Sequence, residues 1–206
     1  MSGGKDSTAA LLWLRFESGW PINRIKLSFN ETDNEDALTY AYLAMLSEVT
    51  GLDIEYVYPD CGGFWDLAKK KKRFPSRKAR FCTQQLKVIP AMKHMEQLKK
   101  SGRVLILSGI TKREGRAHND RGNLNQFSHD DTYGCDKYLP IYDWSLDDIW
   151  SIHKRYIPLD YVLALIGDDK ELSTLRSPAG AVLADDLAEL VRKSEIPCNP
   201  LYHMGA

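Results

Sequence analysis

Ser2-Gly3-Gly4-Lys5-Asp6-Ser7-Thr8 is the stretch whose reading decides the fold. Gly3 and Gly4 lack Cβ atoms, so the backbone can turn sharply there and let an anion approach closely. Ser2, Ser7 and Thr8 add hydroxyl groups. Asp6 to Ser18 then carries Ala9, Ala10, Leu11, Leu12 and Leu14 and stops at Gly19, which predicts a helix. The first turn of that helix aims free N–H groups and the positive dipole end at the glycine turn. Loop and helix together predict a phosphate or pyrophosphate cradle. It is not a Walker A motif, because G-x-x-x-x-G-K-[ST] is absent. The plainer alternative is a glycine-serine turn that only caps a helix. S-G-G-x-D-S fixes five positions, however, and chance supplies that roughly once in a million positions at average residue usage. The spacing therefore favours the cradle.

Outward from the loop, strands and helices alternate. Ile25 to Phe29 alternates apolar and polar residues as a strand does. Asp36 to Thr50 reads as a helix closed by Gly51. Asp53 to Tyr58 reads as a second strand and Val104 to Leu107 as a short buried one. Thr83 to Lys100 reads as a helix with a kink or restart at Pro90. Ser145 to Tyr156 reads as a helix with a capped, acidic start. Asp60 to Arg80 is expected to be a basic loop, and Thr111 to Lys137 a long polar one. This order predicts an α/β fold, a doubly wound parallel sheet, with ligands at the carboxyl ends of the strands. The loops around Gly3 and Gly109 both fall there. Residues 1–140 are expected to form the nucleotide-binding core and residues 141–206 a mainly helical C-terminal part of the same domain.

The 206 residues are 43% hydrophobic and 27% charged with zero formal net charge, so no global field draws in nucleic acid. Apolar runs are too short to span a membrane. No signal-peptide pattern is present, and the expected location is cytoplasmic. Cys61, Cys82, Cys135 and Cys198 lie far apart, which favours reduced thiols over a disulfide scaffold. The five histidines show no metal-binding spacing and are expected on the surface or in loops.

Further along the chain, five ordered segments add to the loop. They are Glu31-Thr32-Asp33-Asn34-Glu35 with Thr39 and Tyr42; Arg80-Phe81-Cys82-Thr83 with Leu86, Lys87 and Pro90; Gly109-Ile110 with Glu114; Pro140 to Trp150; and Ile196-Pro197-Cys198-Asn199-Pro200-Leu201-Tyr202. Together with the loop they resemble the phosphoadenosine-phosphosulfate (PAPS) reductase family of the PP-loop, adenine nucleotide alpha-hydrolase-like superfamily. The resemblance implies an adenine nucleotide, PAPS or ATP, held by Ser2, Gly3, Gly4, Lys5, Asp6, Ser7 and Thr8. Gly109 and Ile110 would lie near the nucleotide and Arg113 would supply charge. Arg80, Lys87 and Arg116 are implied at the substrate. Trp144 and Trp150 read as packing residues. Asp6 could help hold Mg²⁺ through water or stabilise the first helical turn.

The chain departs from the family pattern in places. Glu31 stands for the usual Asp and Asp33 for Gly; Thr111, Gly115 and His118 replace residues of the second loop. The nucleophilic-cysteine tail of thioredoxin-dependent members is missing. Cys82-Thr83 stands where iron–sulfur members carry paired cysteines, so an iron–sulfur cluster is not supported by the residues present. The first strand of the sheet, which should precede Ser2, is also missing, so the chain reads as cut at both ends. Three functions follow as expectations. One is a sulfonucleotide-reductase-like enzyme with a thioredoxin-like reductant. Another is an ATP pyrophosphatase that adenylates a substrate, nucleic acid included. The last is a nucleotide-binding module without chemistry. Lys69 to Lys72 read as a solvated face, with an anion-binding loop that closes over a nucleotide, a sulfonucleotide or a nucleic acid the alternative; Phe74 alone gives little aromatic interleaving for single-strand stacking.

Overall fold

In a computed structural model, residues 1–76, 78–113, 125–167 and 180–201 are described. Helix α1 spans Lys5–Phe16, followed by β1 (Leu27–Asn30), α2 (Ala37–Thr50) and β2 (Ile54–Val57). Strands β1 and β2 pair in parallel, Leu27 opposite Ile54 and Asn30 opposite Val57. Strand β3 (Leu105–Leu107) pairs in parallel with β5 (Cys135–Tyr138), and β4 (Phe127–Asp130) closes that sheet antiparallel to β5. The α/β class with parallel pairing is as the alternation of segments predicts.

Two expected loops contain regular structure. Within the basic segment lies α3 (Phe64–Lys71), which buries Leu67 and Ala68 against the body of the protein while its lysines face water. Two buried apolar residues on one helical face are enough to hold a short helix that its charge disguises. Within the polar segment lies the β4–β5 hairpin. Its turn is closed by the Asp130 side chain, which accepts from the Thr132 amide at 3.1 Å and pairs with Lys137 at 3.1 Å. Polar pairing therefore replaces the apolar alternation that would have announced the strands.

Pro90 acts as its chemistry requires. Thr83–Val88 is a π-helical stretch that runs into α4 (Ile89–Lys99), with Pro90 in the first turn of α4. Proline has no N–H for the residue four before it and its ring crowds that carbonyl, so the preceding turn widens. Helix α5 (Leu146–Tyr156) begins with the expected capping box between Ser145 and Asp148. Helices α6 (Leu159–Gly167) and α7 (Gly180–Ser194) follow.

The core forms where α1, α2, α5, α6 and α7 meet. Ala9, Leu12, Tyr42, Leu46, Ile141, Ile149, Ile157 and Val191 are all fully buried there, with Trp144 and Trp150 packed against its edge. Phe16 stacks on Tyr156 with ring centroids 4.4 Å apart, fastening α1 to α5. This packing fixes the start of α1, which carries the glycine loop.

Candidate functional site

The loop into α1 is shaped by its backbone. Gly3 takes φ +71°, a conformation that residues with a Cβ rarely adopt. Gly4 precedes the helix and provides no side-chain cap, so the first-turn amides keep no partner from a capping side chain. Ser2 and Ser7 close the loop on themselves, their hydroxyls 2.9 Å apart, and the Ser7 hydroxyl donates to the Gly4 carbonyl at 3.0 Å. On one side the Met1 backbone nitrogen donates to the Ser28 carbonyl of β1 at 2.7 Å. On the other, Gly109, just beyond β3, lies flat on the helix start. A Cβ at Gly109 would sit 2.4 Å from the Asp6 carbonyl oxygen and 2.7 Å from the Ser7 nitrogen. The two glycine-bearing loops that the sequence singled out thus meet, and both touch the strand ends.

Further bonds hold the second loop: Ser108 donates to the Tyr138 carbonyl at 3.1 Å and the Lys112 amide to the Tyr142 carbonyl at 2.7 Å. Ile110 is half-buried and Arg113 exposed. Arg80 and Lys87 are exposed before and within the π-helical stretch, and no bond ties either to the loop among the described residues. Arg116 lies outside the described residues. Thr8 is fully buried a turn further along α1, facing the core. Asp6 is buried, with one carboxylate oxygen paired to the Lys5 ammonium and the other without a hydrogen-bond partner among the described residues. No three His, Cys, Asp or Glu side chains gather to hold a metal among the described residues.

Three site residues come from far along the chain. Asn199 and Thr39 lie directly under the loop: a Cβ on Gly3 would be 3.5 Å from Thr39 Cγ2 and 3.8 Å from Asn199 Nδ2. The Asn199 amide donates to Thr39 Oγ1 at 3.4 Å. His153 is completely buried; its Nε2 is 2.9 Å from the Lys5 carbonyl and its Nδ1 3.3 Å from the Pro197 carbonyl. A neutral imidazole donates once, and the shorter distance assigns that bond to Lys5. Burial holds the His153 pKa below its ordinary value, against the pull of both carbonyls and the Asp6 carboxylate. The surface expectation for the histidines fails for His153 and for His94, which is also buried. Thr39 and Asn199 were signalled by the motif segments that contain them; nothing local marks His153.

Asp33 shows why the family pattern has glycine at that position: it adopts φ +56° in the turn after β1. Aspartate is among the few residues with a side chain that accept this conformation. Glu31, in place of the usual Asp, accepts from the Asp33 amide at 2.6 Å and the Tyr40 hydroxyl at 2.7 Å, bracing the same turn. Cys198 is buried beside Asn199, and burial pushes its thiol up to about 12.

No helix among the described residues is long and apolar enough to cross a membrane. The fold is similar to that of a phosphoadenylyl-sulfate (PAPS) reductase from Candida auris, solved as a phosphate complex. The match has a TM-score of 0.59 and 14% identity, covering 100% of this chain and 75% of that one. In sequence, the chain is 34% identical over 113 residues to an uncharacterized 37.8 kDa protein in the gpa 5′ region of Escherichia phage 186. That match covers 50% of this chain and 31% of the phage protein, so the chain spans about a third of that relative. The model of the phosphoadenosine phosphosulfate reductase domain matches residues 1–159, from the glycine loop through α5, and the chain belongs to that family.

Proposed function

We propose that this chain binds an adenine nucleotide of the adenylyl sulfate class, with the phosphates at Ser2–Thr8, and acts in sulfonucleotide reduction. The observation that carries this reading is the side-chain-uncapped start of α1, held between β1 and Gly109 with glycine backbone on both faces. Such a start binds phosphate through backbone amides and the helix dipole. The phosphate in the similar Candida auris structure is in keeping with it. Arg113 supplies positive charge at the nucleotide, and Arg80, Lys87 and Arg116 are the residues that the family resemblance implies at the substrate. In the reduction, one thiolate of a thioredoxin-like dithiol attacks sulfur and the sulfur–oxygen bond breaks to release the desulfated nucleotide; the second thiolate of that dithiol then attacks the sulfonated sulfur atom, expelling sulfite and closing the disulfide.

Cys198 favours a second reading. The cysteine beside the loop is buried with its pKa raised, the opposite of a poised nucleophile. The same cradle serves an ATP pyrophosphatase, in which a substrate oxygen attacks the α-phosphorus and pyrophosphate leaves into the loop.

Thermal unfolding with PAPS, its desulfated product, ATP–Mg²⁺ and GTP at matched concentrations tests both. A ligand at a hundred times its dissociation constant adds about 2.7 kcal/mol to the folded state. A shift with PAPS and its product, followed by sulfite release with a thiol reductant, is expected. A shift with ATP alone, together with ATP–pyrophosphate exchange, would establish the second reading instead. No shift with any nucleotide would overturn both.

A further inference from the structure

Folding changes the meaning of the lysine run. Helix α3 and the segment after it gather three aromatic rings that the sequence spreads over eleven residues. Phe64 and Trp65 meet edge to face with centroids 5.5 Å apart, Trp65 and Phe74 likewise at 6.0 Å, and Phe64 and Phe74 stack at 6.4 Å. Trp65 is 52% exposed and Phe74 64% exposed, so this cluster faces water rather than the core. Lys69, Lys70, Lys71, Lys72 and Arg73 lie between its rings in the chain and Lys78 follows, all exposed, with the Arg73 guanidinium over the neighbouring Phe81 ring at 5.5 Å. None of these six forms an ion pair among the described residues. Asp66, the acid of α3, folds back to Gly62, away from the lysine end.

We propose that this surface binds single-stranded nucleic acid, with bases stacking on Trp65 and Phe74 and the lysines meeting phosphates. Exposed rings beside a basic stripe are what a sequence-tolerant single-strand site requires: every base has a face to stack, and every nucleotide brings a negative charge. The chain as a whole has zero net charge, so the local excess is not a by-product of a basic protein. A second copy of the same face would set lysines against lysines. Insertion into a membrane needs an apolar helix face turned outward, whereas α3 turns Leu67 and Ala68 inward. The start of α3 is bonded to the turn after β1, Phe64 N–H to the Thr32 carbonyl at 2.8 Å, so the surface adjoins the strand-end edge that carries the glycine loop. The inference does not rest on the proposed reaction.

The test is fluorescence anisotropy of a labelled oligothymidylate with the whole chain across a salt series. Heparin, duplex DNA and phosphatidylserine vesicles serve as competitors. Binding that weakens with salt and favours the single strand is expected. Lys69→Gln/Lys70→Gln/Lys71→Gln/Lys72→Gln should flatten the slope of log affinity against log salt by about 3, at roughly 0.7 per phosphate contact. Phe74→Leu, which keeps apolar volume and removes a ring, should weaken binding about tenfold with the slope unchanged, while Trp65→Phe should retain it. All variants should keep the wild-type melting temperature and nucleotide response, which separates this surface from the loop. Absence of oligothymidylate binding at low salt would overturn the proposal. So would heparin or vesicles displacing the strand with Phe74→Leu silent, or a concentration-dependent dimer abolished by Phe74→Leu.

Discussion

The glycine loop and helix α3 both face anions, yet they are built in opposite ways. At Ser2–Thr8 the groups offered are backbone amides and the end of a helix dipole, held by two parallel-paired strand layers and a buried histidine. At α3 they are flexible ammonium groups around exposed rings, held by two buried residues. The first arrangement is preorganised, so its contribution depends on geometry and resists salt. The second depends on charge density, so salt erases it and single substitutions trim it gradually. Changes at the loop should therefore cost stability and nucleotide binding together; changes on α3 should spare both and cost only the binding at its own surface.

The largest expected effect is at Gly109. An alanine methyl there would stand 2.4 Å from the Asp6 carbonyl oxygen and 2.7 Å from the Ser7 nitrogen, against a helical peptide unit rather than a flexible side chain that could yield. Gly109→Ala should destabilise the chain by about 3 kcal/mol, the upper end for overpacking, and abolish stabilisation by nucleotide. Urea unfolding with and without nucleotide reads both. An unchanged midpoint would show that the two loops do not pack as closely as described.

His153 gives an intermediate effect that depends on pH. Its folded pKa is lowered by burial, so below about pH 6.5 the unfolded chain takes up a proton that the folded chain refuses. The unfolded state then binds more protons, and stability falls as pH falls through that window. Neighbouring groups that share the field are the Asp6 carboxylate and the Lys5 ammonium. Comparison with His153→Gln at each pH cancels other titrations. The wild type should lose about 1 kcal/mol more than the variant between pH 6.5 and 5.5. Parallel curves would mean that His153 titrates normally and does not clamp the loop.

What the sequence showed and what it concealed follow the same division. The glycine loop was legible because its chemistry is local: five fixed residues and the helix behind them specify a turn by themselves. Strands β1, β2 and β3 were legible for the same reason. His153 was not, because its partner Lys5 is 148 residues away and an amphipathic helix signals burial without saying what it buries against. Helix α3 was hidden by four consecutive lysines that outweigh Leu67 and Ala68 in any composition count. Its aromatic cluster was hidden because Phe74 looks solitary until the helix brings Phe64 and Trp65 beside it. The β4–β5 hairpin was hidden because an Asp130–Lys137 pair carries what apolar alternation usually does.

The smallest expected effect sharpens the contrast most. Replacing Lys69 to Lys72 together by glutamine removes four positive charges from one helical end, yet none of the four forms an ion pair among the described residues. The helix dipole favours cations at that end, which argues for a small loss; relief of repulsion among adjacent ammoniums argues for a small gain. Surface substitutions without specific partners stay within about 0.5 kcal/mol, and the two terms oppose each other, so the net change should fall inside that range. Urea unfolding at low and at high salt tests the balance. If the lysines only repel one another, the wild type should gain stability as salt rises and the variant should not. A loss well beyond that range would mean that the lysines serve the fold, and the division between a structural loop and a solvent-facing charged surface would no longer hold.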